Sequence, residues 1–309
     1  LRFPSPVEYY ELEGVPFYLK RDDLIDPRFS GNKARKLHYF LVRDFHINRL
    51  ISYGSMQSNA MYSLSVLCRD RGWEFLYYAR INEKLLLSPL GNLKRALENG
   101  MVLRPIEELR VDRKLCSETK LFDDTLFVPE GVRCKEAKEG VSLLADEIIE
   151  WARANNVERL NIFLPSGTGT TALFLKESLA ERGCSFEVYT VACVGDSDYL
   201  KKEFRSLSNS KISPVILQPS VKFRFASLDP RLFEIYMKIK NVCGFEIDLV
   251  YDTVGFFTLL ENRGLFEGTT LLYIHQGGLL GNESMIARYK AKFGKIAKPF
   301  KKDSHAVSI

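Results

Sequence analysis

The feature that most constrains this chain is a recurring phrase: a short β-branched or aromatic run, a turn, an amphipathic segment, a glycine, and another short run. Residues 49–53 read as a strand, 60–71 as a helix stopped by Gly72, and 74–79 as the next strand. The phrase returns with 93–99, Gly100 and 101–104. It returns again with a strand over 160–164, a helix over 172–182 stopped by Gly183, and a continuous apolar strand over 186–194. Parallel strands need long crossovers, and helices supply them, so the expected class is α/β with mostly parallel sheets covered by helices.

A chain of 309 residues exceeds what one hydrophobic core usually supports. No flexible tether interrupts it, so a boundary between two units should be a crossing of the chain between sheets. The charged stretches at 44–48 and 148–157 are the candidates. They divide the chain into a large unit, 1–46 with 150–309, and a small one, 47–149.

Hydrophobic residues at 46% and charged residues at 27% exclude a disordered or fibrous chain. The net charge of +5 gathers late, at Lys290, Lys292, Lys295, Lys298, Lys301 and Lys302. No aromatic platform or reading motif accompanies these lysines, so a solvated tail is expected and no nucleic-acid partner. Cysteines at 68, 116, 134, 184, 193 and 243 form no C-x-x-C pair, and neither a metal site nor a disulfide framework is expected. No apolar run reaches the roughly 20 residues that cross a bilayer, and no signal-peptide layout opens the sequence. The expected compartment is the cytoplasm.

Ligands of α/β sheets gather at the carboxyl ends of the strands. Three segments there carry chemistry. Ser30-Gly31-Asn32-Lys33-Ala34-Arg35-Lys36-Leu37 opens a helix whose apolar positions are Leu37, Phe40 and Leu41. It places Lys33 at the helix start, where exposed amides and the dipole disfavour an ammonium and free the amine to attack an aldehyde. The plain alternative is a solvated basic face. Gly54-Ser55-Met56-Gln57-Ser58-Asn59 offers a nest for a carboxylate or phosphate, or simply a polar helix cap. Ser166-Gly167-Thr168-Gly169-Thr170-Thr171 is a phosphate cradle by composition, without a Walker lysine or dinucleotide spacing, or else a tight turn. A lysine amine, a carboxylate-sized nest and a phosphate loop together match the needs of pyridoxal phosphate.

KRDDL at 20–24, SGNKARKL at 30–37, SMQSN at 55–59, SGTGTT at 166–171, LVYD at 249–252 and HQGG at 275–278 follow one another in an order that resembles a known family. It is the pyridoxal-phosphate enzymes that include 1-aminocyclopropane-1-carboxylate deaminase and D-cysteine desulfhydrase. The resemblance implies a two-domain fold of the tryptophan-synthase β type, with the cofactor in the cleft and usually a homodimer. It implies that Lys33 carries the cofactor as a Schiff base and moves protons. Ser58 would hold the substrate carboxylate, Asn59 the cofactor's ring oxygen, and Gly167, Thr168, Gly169, Thr170 and Thr171 its phosphate. Tyr251 would stand beside the substrate as acid, base or nucleophile.

Departures from the family are informative. Asp252 stands where the deaminases carry a glutamate and the desulfhydrases a threonine, and Gln276 where the desulfhydrases have a threonine; either is placed to meet the pyridine nitrogen. Thr253-Val254 replaces a usual Gly-Lys. Phe225 stands where the deaminases have a second tyrosine, and Ala60, Met61 and Tyr62 replace polar residues. The expected activity is elimination or deamination of a small amino acid, including a D-amino acid such as D-cysteine, to a 2-oxo acid and ammonia. Two alternatives stand beside it: a sensor or carrier that binds pyridoxal phosphate or an amino acid without turnover, and a nucleotide or sugar-phosphate binder using the 166–171 loop.

Overall fold

A computed structural model describes residues 1–110 and 118–294. In chain order the elements are β1 (Val7–Leu12), β2 (Val15–Arg21), α1 (Asn32–Lys36), α2 (His38–Val42), β3 (Arg49–Tyr53), α3 (Asn59–Arg71), β4 (Glu74–Ala79), α4 (Glu83–Leu87), α5 (Gly91–Glu98), β5 (Met101–Pro105), β6 (Lys120–Phe122), β7 (Thr125–Phe127) and α6 (Ala137–Ala154). There follow β8 (Leu160–Ser166), α7 (Thr170–Glu181), β9 (Glu187–Ala192), α8 (Ser197–Leu207), β10 (Val215–Leu217), α9 (Pro230–Val242), α10 (Asp252–Glu261), β11 (Thr270–His275) and α11 (Asn282–Phe293).

The strands form two sheets, ordered β1-β2-β11-β8-β9-β10 and β5-β4-β3-β7-β6. All pairings are parallel except β1 with β2 and β6 with β7. The apolar run of β8 is why it sits centrally, between β11 and β9: six of its seven residues are buried, as a parallel strand covered on both faces requires. Glycine stops the crossover helices as the sequence indicates. Gly72 closes α3 at φ 71°, and its N–H turns back to the carbonyls of Arg69 and Cys68.

One core cluster joins side chains from both sheets, including Leu50 and Phe75 with Ile162, Leu164 and Leu272, through the helices between them. A second lies on the other face of the larger sheet, where Phe17, Leu19, Phe163 and Tyr273 meet α9 and α10. Among the described residues no helix is long and apolar enough to cross a membrane.

The structure departs from the sequence reading at the helix after Lys33. The helix expected to carry Leu37, Phe40 and Leu41 beyond Lys33 is two short helices that meet at Leu37, where ψ is −2°. Here α1 rests directly on α6: a Cβ on Gly140 would stand 2.0 Å from the Arg35 carbonyl oxygen. The stretch 148–157, a candidate crossing between units, carries α6 as far as Ala154, with Ile148 and Ala152 on its buried face. Cys116 and the lysines at 295, 298, 301 and 302 lie outside the described residues, while Lys290 and Lys292 are exposed on α11.

Candidate active site

The carboxyl ends of β3, β8 and β11 open onto one cavity of about 870 Å³. All three chemical segments reach it: Lys33 from α1, Gln57, Ser58 and Asn59 after β3, and residues 165–171 after β8. Tyr251, Asp252 and Gln276 line it as well.

Lys33 is only partly exposed, and it lines this cavity; its Nζ donates to Asn32 Oδ1 at 2.9 Å. Burial lowers its pKa to about 8, with the Asp248 carboxylate opposing. The cause is therefore enclosure rather than the helix dipole expected from sequence, since α1 has only five residues. At neutral pH roughly one amine in ten is then uncharged, against roughly one in three thousand for a free lysine.

This shift fixes a pH dependence. Between about pH 8 and 10.5 the unfolded lysine holds a proton that the folded one has released, so the cofactor-free protein gains stability as pH rises through that window and loses it as pH falls through 8. Urea unfolding of the wild type and of Lys33→Met at several pH values checks this. The wild type should gain more over the window, and equal gains would remove the inference.

Lys36, one turn along α1, lines the same cavity and escaped the sequence reading. Its i+3 spacing from Lys33 was the available signal. Its Nζ donates to the Gly131 carbonyl at 3.1 Å, and burial, together with the charge on Lys33, holds its pKa well below the usual value. Gly131 in turn abuts Thr168, with a Cβ there only 3.2 Å from Thr168 Cγ2. A second lysine amine thus stands beside the glycine-threonine loop, where a bound phosphate would favour its charged form.

That loop runs into α7. Gly169, at φ 72°, is its N-cap, and a Cβ there would meet Phe204 Cε1 at 2.3 Å, so a larger residue does not fit. Thr168 and Thr170 pair their hydroxyls at 2.9 Å, and Asn32 Nδ2 reaches the Thr171 hydroxyl at 3.4 Å. The first-turn N–H groups of α7 have no partner within the helix, which suits an anion. Gly167 takes the Tyr251 ring against its backbone, 3.1 Å from where a Cβ would stand.

Ser58 caps α3, accepting from the N–H groups of Ala60 at 3.1 Å and Met61 at 3.3 Å. The plain capping role is thus real, yet its hydroxyl still has a proton to give, on a cavity wall. Tyr251 is partly exposed to the cavity, but its enclosure raises its pKa, with Asp248 adding to the effect; it stays protonated and can donate but not act as a resting base.

Gln276 has both ends of its amide engaged, accepting from Asn32 Nδ2 at 2.6 Å and donating to the Pro165 carbonyl at 2.6 Å. Asp252 is a buried carboxylate. It accepts from the Tyr273 hydroxyl at 2.9 Å and the Asp248 N–H at 3.2 Å, and lies 3.2 Å from His275 Nδ1. Burial alone would lower the His275 pKa, but Asp252, helped by Asp23 and the Glu246 carbonyl, outweighs it and raises the value to about 9. The His275 ring therefore backs the Asp252 carboxyl group, with Nε2 against the Glu246 carbonyl at 2.8 Å and Nδ1 also met by the Gly277 N–H at 3.3 Å. Asp248 and Asn92 were also missed: Asp248 Oδ1 accepts from the N–H groups of Val250 and Tyr251 and so holds the turn that presents Tyr251 and Asp252.

The donor set suits pyridoxal phosphate: an enclosed amine, a loop of small residues and hydroxyls beside a second lysine, and a buried carboxylate, all on one cavity. The glycines support the fit. A Cβ on Gly278 would collide with Asn59 Nδ2 at 2.7 Å and Asp248 Oδ2 at 2.9 Å.

The chain is similar to several named enzymes. A Thermotoga maritima protein provisionally named 1-aminocyclopropane-1-carboxylate deaminase is 25% identical, covering 90% of this chain and 95% of its own. The mitochondrial bifunctional D-cysteine desulfhydrase/1-aminocyclopropane-1-carboxylate deaminase of Arabidopsis thaliana is 24% identical, covering 90% and 77%. The chain thus resembles proteins so named at about a quarter identity over most of its length. No protein-family model matches it. A crystal structure of an ACC deaminase homologue superposes with a TM-score of 0.76 at 20% identity, covering 94% of each chain. A fungal L-serine ammonia-lyase from Rhizomucor miehei superposes at 0.61 and 16%, covering 94% of this chain and 98% of its own. The two-sheet α/β fold is shared with these two structures. Phe225 lies on the cavity wall with its ring 5.8 Å from that of Tyr251, and presents an apolar edge there.

Proposed function

We propose that this chain is a pyridoxal-phosphate enzyme that eliminates from or deaminates a small amino acid, giving a 2-oxo acid and ammonia, as the family's D-cysteine desulfhydrases and aminocyclopropane-carboxylate deaminases do. The observation that carries the reading is the enclosed Lys33 amine, with its pKa lowered to about 8, on one cavity with the Gly167–Thr171 loop. Pyridoxal phosphate, when bound, supplies an aldehyde for the amine and a ring that takes up electrons released at the substrate's α-carbon.

The chain's own residues then have distinct tasks. Lys33 holds the cofactor and afterwards carries protons at the substrate's carbon. Lys36, Thr168, Thr170, Thr171 and the first N–H groups of α7 hold the phosphate. Ser58 offers its hydroxyl proton to the substrate carboxylate, and Asn59 its amide to the ring oxygen. Asp252 rather than Gln276 is assigned to the pyridine nitrogen, because the Gln276 amide is held at both ends by Asn32 and Pro165, whereas a carboxylate there favours the protonated, electron-withdrawing ring. Tyr251 donates a proton near the substrate. A cytoplasmic homodimer, with 1–46 and 150–309 as the larger unit and 47–149 as the smaller, belongs to the same proposal.

Phe225 bears on the substrate. With an apolar edge where a second hydroxyl would stand, ring opening of aminocyclopropane carboxylate should be the weakest activity. Incubation with D-cysteine, L-cysteine, D-serine and aminocyclopropane carboxylate, followed by oxo-acid assay, checks this; D-cysteine or D-serine should lead. Spectral shifts on adding these amino acids with no product from any would favour the binding-without-turnover alternative.

A further inference from the structure

Asn92 is a buried polar side chain, only 1% exposed at the first turn of α5, where Gly91 bends the chain at φ 55°. Its Nδ2 has two hydrogens, and both are engaged: one by the Gln57 carbonyl at 2.9 Å, the other by Asn59 Oδ1 at 2.7 Å. The amide has one workable orientation, because turning it over would set its oxygen against two oxygens with no hydrogen to give. Asn92 Oδ1 is itself buried with no partner. An unpaired buried acceptor is a cost that an apolar residue would not incur, so Asn92 is held for its two donors.

Fixing Asn92 fixes Asn59. Since Asn59 Oδ1 is the acceptor, its Nδ2 must point the other way, and it lies beside Gly278, 2.7 Å from where a Cβ would stand. Both residues line the cavity. We propose that Asn92 is a positioning residue that presents the Asn59 amide donor-first to the cavity, so that this point accepts a ligand oxygen, the ring oxygen of pyridoxal phosphate, and rejects a donor. The chain of amides runs one way, from the Gln57 carbonyl through Asn92 and Asn59 to the ligand. This rests on the function proposed above.

A donor on the ring oxygen stabilises its anion and weakens the hold on the proton of the neighbouring lysine-linked nitrogen. The pH midpoint of the cofactor's visible band reports that directly, without turnover. Asn92→Asp puts a carboxylate oxygen against the Gln57 and Asn59 oxygens and turns Asn59 over. Loss of the one hydrogen bond should raise the midpoint by about one unit and weaken pyridoxal-phosphate binding roughly tenfold. Asn92→Ala removes the donors without repulsion and should shift the midpoint the same way by less, which serves if the aspartate variant does not fold. In an Asn59→Ala background the Asn92 changes should add nothing. A wild-type midpoint and affinity in both Asn92 variants, or full shifts persisting without Asn59, overturns the proposal while the cofactor assignment stands. A wild-type protein with no lysine-linked band overturns both.

Discussion

Lys33→Ala should abolish the visible band of lysine-bound pyridoxal phosphate and lower turnover by more than about a thousandfold, the range of a lost proton carrier compounded by a lost covalent anchor. Lys36→Ala should behave differently. It removes an amine that a bound phosphate would hold charged beside the Gly167–Thr171 loop, so the band should survive, with cofactor binding weakened by roughly one to two orders of magnitude, as for a charge-assisted hydrogen bond. Absorbance titration with pyridoxal phosphate and an oxo-acid assay on the two variants separate the roles. If Lys36→Ala loses the band and Lys33→Ala keeps it, the assignments exchange.

The second large effect is on stability. Arg35, two residues beyond Lys33, is fully buried. It donates to Asp22 through Nε at 2.6 Å and Nη2 at 2.7 Å, and to Glu147 through Nη1 and Nη2, both at 2.9 Å. Lys20 Nζ also donates to Glu147 at 2.6 Å, and the Ser5 hydroxyl to Asp22 at 2.7 Å. This network ties α1 to the end of β2 and to α6, and so anchors the short helix that aims Lys33. Arg35→Met leaves two buried carboxylates with Lys20 as their remaining cation, and removing one partner of such a set costs about 3–5 kcal/mol. Urea unfolding should show that loss. A loss under about 1 kcal/mol would mean that the apolar contacts of Leu37 and Phe40, not the ion network, hold α1 in place.

Much of this was legible in the sequence because alternation and punctuation are local. The strand expected over 49–53 is β3, the one over 74–79 is β4, and Gly72 ends α3 where a left-handed residue was needed. Lys33, Ser58, Asn59, the 167–171 loop, Tyr251, Asp252 and Gln276 could be named from three loops and a family resemblance, and the structure brings all of them to one cavity.

What was not legible depends on contacts between distant segments. The break at Leu37 follows from α1 meeting α6 at Gly140, a hundred positions away by number. The reason for the lowered lysine pKa, enclosure rather than dipole, needs the walls of the cavity. Asn92 reads as an ordinary helix-start asparagine until α5 is packed against the 57–59 loop, and His275 gains a meaning only when β11 brings it under Asp252. Glutamine at 276 looked equal to Asp252 as a partner for the ring; its two amide contacts, one of them 111 positions away, separate them.

The most direct test of the account is to load the protein with pyridoxal phosphate, reduce it with borohydride, and locate the adduct by peptide fragmentation. The account predicts a single pyridoxyl group on the side-chain nitrogen of Lys33. An adduct on Lys36 alone, or no adduct on any lysine, would contradict it.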